Sequence, residues 1–295
     1  MWQRTFIMAF FLLPLLLGAQ GNILSTYSQG KYSDCLANCK EQLEANPKDS
    51  MALYIQGLCL IQAQDYEPAL KSLEGAIENN FQPSANVQMQ QARCLAQLGK
   101  QEEALDLLSK LVKAGFSSYQ AFEQEQFEVF AHQENFQNLK DSVHRRAFPC
   151  FYDPNYTHFD FWLGEWDVFV GDIKVGENTI TKQEGGCSVL EQYSTARDYI
   201  GQSLNFYDPS DGLWKQFWSD NTQGLTKYIE TERRPGYLQF ISEPSSTPSS
   251  NGTLRMTFTL QEDGSVRQFI EQKQTPESEW QSAFDGRYVK RENKN

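Results

Sequence analysis

The sequence predicts a multidomain chain, α followed by all-β: a helical-repeat solenoid, then an antiparallel β-barrel of about 8–10 strands. Three observations predict it. Segments of the first half superimpose at a spacing near 34 residues. The second half alternates apolar and polar residues with period two between turn signals. Between them, the stretch from Ala147 to Pro154 replaces a Gln/Glu/Leu composition with aromatic residues and proline, and no long Gly/Ser spacer intervenes.

Ahead of both parts, Arg4 precedes an apolar run from Phe6 to Leu17, with small residues at Gly18-Ala19. The run is short for a bilayer span and has the layout of a secretory signal peptide, with cleavage expected near Ala19. An uncleaved anchor is the alternative. Residues 1–19 are therefore set apart as a leader. The remainder is expected to be exported, periplasmic or extracellular, with no membrane span after cleavage. The helical unit is expected over residues 20–148 and the barrel over 149–295.

In the helical unit, Gly30-Lys31-Tyr32-Ser33-Asp34-Cys35-Leu36 recurs as Gln64-Asp65-Tyr66-Glu67-Pro68-Ala69-Leu70, and again as Gly99-Lys100-Gln101-Glu102-Glu103-Ala104-Leu105. Pro47, Phe81 and Phe116 keep matching offsets. Within the middle unit Leu53, Gly57, Leu60, Ala69, Leu73 and Ala76 suit two antiparallel helices in close contact, and Pro68 falls in a first helical turn, where a missing N–H costs little. This pattern resembles the tetratricopeptide repeat family over roughly residues 22–111. The third unit departs from it where Ala92 stands for the close-contact glycine. Residues 119–130 and 135–143 are expected to form a fourth, degenerate helix pair that caps the stack. The resemblance implies docking of a peptide or protein partner, with Gln88, Gln90, Gln91 and Gln97 as candidate polar contacts; a purely structural arm is the alternative.

Charge and composition exclude several classes. The 295 residues carry 26 Lys and Arg against 38 Asp and Glu, a net charge of −12, and no basic run exceeds a pair. Nucleic-acid binding is not expected. The six cysteines permit disulfides in an exported chain, yet contain no Cys-x-x-Cys pair and no zinc-finger spacing with histidine, so no metal site is expected. Buried thiols and one or two disulfides remain equally open.

Strands are expected at about ten places from Trp166 onward. The turn Asp208-Pro209-Ser210-Asp211-Gly212, between Gln202–Tyr207 and Trp214–Trp218, is the strongest hairpin signal, because it supplies both a fixed φ and a position for φ > 0. Asp263-Gly264 marks another tight turn, and Ser245–Ser250 a loop. So many strands without a helix must close or fold on themselves, as a barrel or, alternatively, a two-sheet sandwich. The opening stretch Phe159-Asp160-Phe161-Trp162-Leu163-Gly164-Glu165-Trp166-Asp167-Val168 resembles the start of a bacterial lipocalin-like domain. Gly186-Cys187 through Glu191, and Tyr207-Asp208 through Trp218, fit the same pattern. The resemblance implies a calycin-type barrel founded on the strand at residues 158–168. It also implies structural roles for Gly164 and Trp166, with Arg287 from the last strand stacked over the Trp166 indole.

No Gly-x-Ser-x-Gly elbow, His-Glu-x-x-His motif, phosphate-binding glycine loop or dinucleotide fingerprint is present. The three histidines, His132, His144 and His158, precede the later strands, so haem is not expected and no cofactor is assigned. What remains is the barrel interior. Glu191, Asn205, Tyr207, Gln216 and Trp218 are the candidate ligand-binding residues, polar or amphipathic groups on neighbouring strands, as in small-molecule sites with aromatic walls. Glu191 is also the candidate general base if its carboxyl is desolvated, with Tyr207 or Asp220 beside it in a hydrolase or isomerase. The bland alternative pairs Glu191 with Arg197 or leaves it in water. A small apolar or amphipathic ligand, a partner on the repeats, and no enzymatic activity form the leading expectation; a structural assembly factor with a filled barrel is the third.

Overall fold

A computed structural model describes residues 22–243 and 252–291. The expected leader and the loop Ser245–Ser250 lie outside them. The chain divides into two compact units, residues 1–147 and 148–295. No helix among the described residues is long and apolar enough to cross a membrane.

The first unit is a run of antiparallel helices: α1 (residues 22–28), α2 (Tyr32–Ala45), α3 (Ser50–Gln62), α4 (Tyr66–Glu78), α5 (Ser84–Gln97) and α6 (Gln101–Lys113). Its repeat is visible in the backbone: Gly30, Gln64 and Gly99, at equivalent positions, all take positive φ, +71°, +59° and +76°. Gly57 is required by proximity, since a Cβ there would lie 2.8 Å from the Leu73 side chain. Residues 119–130 depart from the expected helix. They form two 3-10 turns, Tyr119–Glu123 and Glu125–Phe130, before α7 (Glu134–Ala147). Phe122 and Phe127 are both buried five residues apart, a spacing one α-helical face does not hold, and the extended residue Gln124 resets the phase. Two of the four glutamines are also spent internally. Gln90 Oε1 accepts from Arg93 Nη1, and Gln97 Nε2 donates to the Gln126 carbonyl.

The second unit opens with short helical pieces, Pro149–Phe151, α8 (Pro154–Thr157) and Asp160–Trp162. Ten strands follow: β1 (Gly164–Val170), β2 (Ile173–Gln183), β3 (Ser188–Ser194), β4 (Ile200–Asp208), β5 (Leu213–Asp220), β6 (Leu225–Arg234), β7 (Tyr237–Ser242), β8 (Thr253–Leu260), β9 (Val266–Lys273) and β10 (Gln281–Lys290). Each pairs antiparallel with its neighbours in sequence, and β1 pairs β10, so the sheet is a closed meander with no free edge. The sandwich alternative is thereby set aside.

The stretch expected as a founding strand is only half a strand. Extended pairing starts at Gly164, whose φ of +134° turns the chain into β1. The preceding Phe159, which caps the 3-10 turn, and Trp162, which lies in it, are wholly buried and stacked 4.9 Å apart between ring centroids. Phe159 contacts Trp214, Phe240 and Phe258 edge-on or tilted, and Trp162 meets Phe258 at 4.5 Å. These rings fill one barrel end as a plug. Trp214 Nε1 donates to the Asn155 carbonyl at 3.0 Å, Lys182 Nζ to the Tyr156 carbonyl at 2.7 Å, and a Cys150–Cys187 disulfide ties the plug's start to the β2–β3 turn. Cys35, Cys39, Cys59 and Cys94 are buried thiols.

Arg287 does not cover Trp166. Arg287 is exposed on the outer face, with its guanidinium over the Phe169 ring at 5.9 Å, while Trp166 points inward and is fully buried. Strand alternation imposes this: Arg287 lies one residue from the inward Tyr288. The cation over the Trp166 indole is Lys290, 5.5 Å from its centroid, and Trp166 Nε1 donates to the Trp162 carbonyl.

Candidate functional site

Away from the plug, the barrel encloses a cavity of about 270 Å³. Its walls come from the inward positions of six strands and one loop. β3 gives Glu191 and Tyr193, β5 gives Gln216 and Trp218, and β6 gives Tyr228. β8 to β10 add Met256, Gln268, Ile270, Phe284 and Tyr288, and Tyr199 arrives from the β3–β4 loop. Aromatic and aliphatic residues therefore make most of the surface, with three polar side chains set among them, a composition typical of small-molecule sites.

Register builds the polar part. Glu191 stands opposite Ser203 on β4, and Ser203 stands opposite Trp218 on β5. Asn205, two residues on, stands opposite Gln216. Ser203 Oγ donates to Glu191 Oε2 at 2.6 Å, and Asn178 Nδ2, from β2, donates to Glu191 Oε1 at 2.7 Å. Asn205 Nδ2 donates to Ser203 Oγ and to the Val189 carbonyl, while Asn205 Oδ1 accepts from Gln216 Nε2 at 2.8 Å. Across the cavity, Tyr288 donates to Gln268 Oε1 at 2.6 Å.

Glu191 is 2% exposed and has no cationic partner, so neither pairing with Arg197 nor full hydration describes it. Burial raises its pKa from 4.5 to about 7, against the lowering effect of the bonds from Ser203 and Asn178. Tyr228 and Tyr288 are pushed up by the same burial and by the nearby Glu191 carboxyl. At the rim, Asp220 is held at about 2, chiefly by the Thr222 hydroxyl. It accepts from Tyr199 and from Trp218 Nε1 at 3.2 Å each.

Of the five candidates, Glu191, Gln216 and Trp218 line the cavity. Asn205 is buried one layer behind it, bonded to Gln216 and Ser203. Tyr207 is not part of the site. It lies at the plugged end, edge-on to Tyr156 at 5.2 Å and under the Arg233 guanidinium at 5.3 Å. Alternation puts Tyr207 on the inward face of β4, but β4 runs toward the plug, so that residue reaches the wrong end. Asn178 and Ser203 escaped sequence reasoning, although period two alone places both inward; only register shows that they converge on Glu191.

Comparisons with known proteins touch the helical unit. Residues 28–111 match the family model described as anaphase-promoting complex, cyclosome, subunit 3. Among solved structures, MamA is similar at 14% identity and TM-score 0.39, over 44% of this chain and 77% of that one. The Yersinia enterocolitica type III secretion chaperone SycD, in complex with a peptide of the translocator YopD, is similar at 19% identity and TM-score 0.33, over 47% and 94%. The TPR2B domain of yeast Sti1 is similar at 12% identity and TM-score 0.32, over 44% and 97%. No curated protein matches. The chain carries tetratricopeptide-like helical repeats followed by a closed ten-stranded antiparallel β-barrel.

Proposed function

We propose that the protein is an exported binding protein, in which the repeats dock a protein partner and the barrel holds one small apolar or amphipathic molecule. The observation that carries the ligand reading is the cavity itself. Its roughly 270 Å³ lies just below the range of about 300–1,000 Å³ usual for small-molecule sites. A barrel serving only as a folded plug would be filled by its own side chains, as the Phe159–Trp162 end is. Stacked helix pairs present a continuous concave surface, the general basis for a docking arm. Export rests on the leader pattern of residues 1–19 and agrees with the Cys150–Cys187 disulfide, a bond favoured in oxidising compartments.

A catalytic reading draws support from one feature, the buried Glu191 with its pKa near 7, which suits a general base. Its named partners do not join it, since Tyr207 lies at the plugged end and Asp220 is committed to the rim. Binding without turnover is therefore the preferred function. Native mass spectrometry of the protein purified from its own host tests it: a stoichiometric adduct of a few hundred daltons, lost on denaturation, is expected. A protein that is consistently bare, with probes unable to enter the lumen, overturns the ligand reading.

A further inference from the structure

The lumen's ligand can be narrowed by charge. Among the described lining residues Glu191 is the one carboxylate, and no lysine, arginine or histidine accompanies it. Resting on the reading of the lumen as a ligand site, we propose that its ligand is a compact amine, with an ammonium placed at Glu191 and an aromatic or apolar body against the tyrosine and tryptophan walls.

The chemistry of the walls selects for this group. A carboxylate ligand would enter a low-dielectric space beside Glu191 without a counter-charge, which is strongly unfavourable. An ammonium brings three donors and no acceptor. Each Glu191 oxygen receives one bond, from Asn178 or from Ser203, and keeps acceptor capacity toward the cavity. Tyr193, Trp218 and Tyr228 supply π-faces, which attract cations most when the site is desolvated. The small volume excludes long lipids and favours a ligand of one ring or a short chain.

Ionisation of Glu191 then governs affinity. From its own strand the group facing it is Tyr193, from the β3–β4 loop Tyr199, from β6 Tyr228 and from β10 Tyr288, all with raised pKa values that keep them neutral, while Asp220 at the rim, held at about 2, stays ionised throughout. β2, β4, β5 and β9 present the uncharged Asn178, Ser203, Gln216 and Gln268. Glu191 near 7 is therefore the titration that matters. An aliphatic amine, with a pKa close to lysine's about 10.4, stays charged throughout.

The test is calorimetric titration of the full chain with phenethylamine, phenethyl alcohol and hydrocinnamate, which share one ring and differ in head group. At about pH 8 the amine should bind at least roughly tenfold tighter than the other two, and its affinity should fall by up to about tenfold per pH unit below about 7. Glu191→Gln should reduce amine affinity to about that of the alcohol and abolish its pH dependence. Should that variant not fold, the wild-type pH profile decides, and a flat one overturns the proposal. Equal or tighter binding of hydrocinnamate overturns the amine while leaving a ligand site in place, as does a co-purifying ligand without a basic nitrogen. Failure of all three probes together with a bare protein in native mass spectrometry removes the site and the amine alike.

Discussion

Glu191 loses bulk water on folding and receives two hydrogen bonds in its place, from Asn178 and Ser203. Desolvation outweighs them, so the folded protein keeps a proton between pH 4.5 and about 7 that the unfolded chain has released. The folded pKa lies above the unfolded one, and stability therefore falls as pH rises through that window, by about 3 kcal/mol in total. Glu191→Gln should flatten this slope, which urea denaturation at stepped pH measures; a slope of unchanged size would refute the assignment to Glu191. The same residue shows what the sequence reveals at this scale. Alternation along β3, β4 and β5 is enough to point Glu191, Asn205, Gln216 and Trp218 inward. It gives a face but not a height along the barrel axis, so alternation alone groups Tyr207 with residues at the other end. The partners Asn178 and Ser203 depend on register across three strands, which no single strand's pattern contains.

Elements follow the sequence most closely where a short local signal sets them. Gly30, Gln64 and Gly99 occupy the same left-handed position of successive repeats, just before a second helix begins, and only the middle one carries a side chain. Gln64→Gly should therefore stabilise the repeats by about 0.5–1 kcal/mol, read as a higher thermal midpoint; a lower midpoint would show that the glutamine side chain compensates for its backbone. Elements are misread where a tertiary cluster overrides local periodicity. Phe122, Phe127, Phe130 and Phe136 pack on one another at centroid distances of 5.4–6.3 Å, and 3-10 turns deliver those rings where a continuous helix would not. The opening aromatic stretch has the same lesson in it: Phe159 and Trp162 read as strand residues by composition, yet their destination is the barrel end, reached through a 3-10 turn.

At the scale of the whole molecule, two units arise from two kinds of contact: neighbouring helices in the first, and strands closed into a ring in the second. The barrel's plug is secured covalently by Cys150–Cys187, which closes a loop of 37 residues. Replacing both cysteines with serine should lower stability by about 3–4 kcal/mol if loop entropy dominates. Equilibrium unfolding of the oxidised protein against the double variant measures this, and a difference below about 1 kcal/mol would place the plug's stability in the aromatic cluster instead. Helices followed by a closed antiparallel barrel could be foreseen from spacing and alternation, whereas the register that sets Trp166 opposite Lys290 in β10 could not, because those strands share no local signal. That closure has a consequence during synthesis. Trp166 finds its partner only when Lys290 has left the ribosome, so β1 must wait, unpaired on one side, for nearly the whole unit to be made. The helical repeats face no such delay, because each helix packs on its neighbours in sequence. The order of birth of the two halves is thus also their order of maturation, and the lumen is the last feature of the protein to exist.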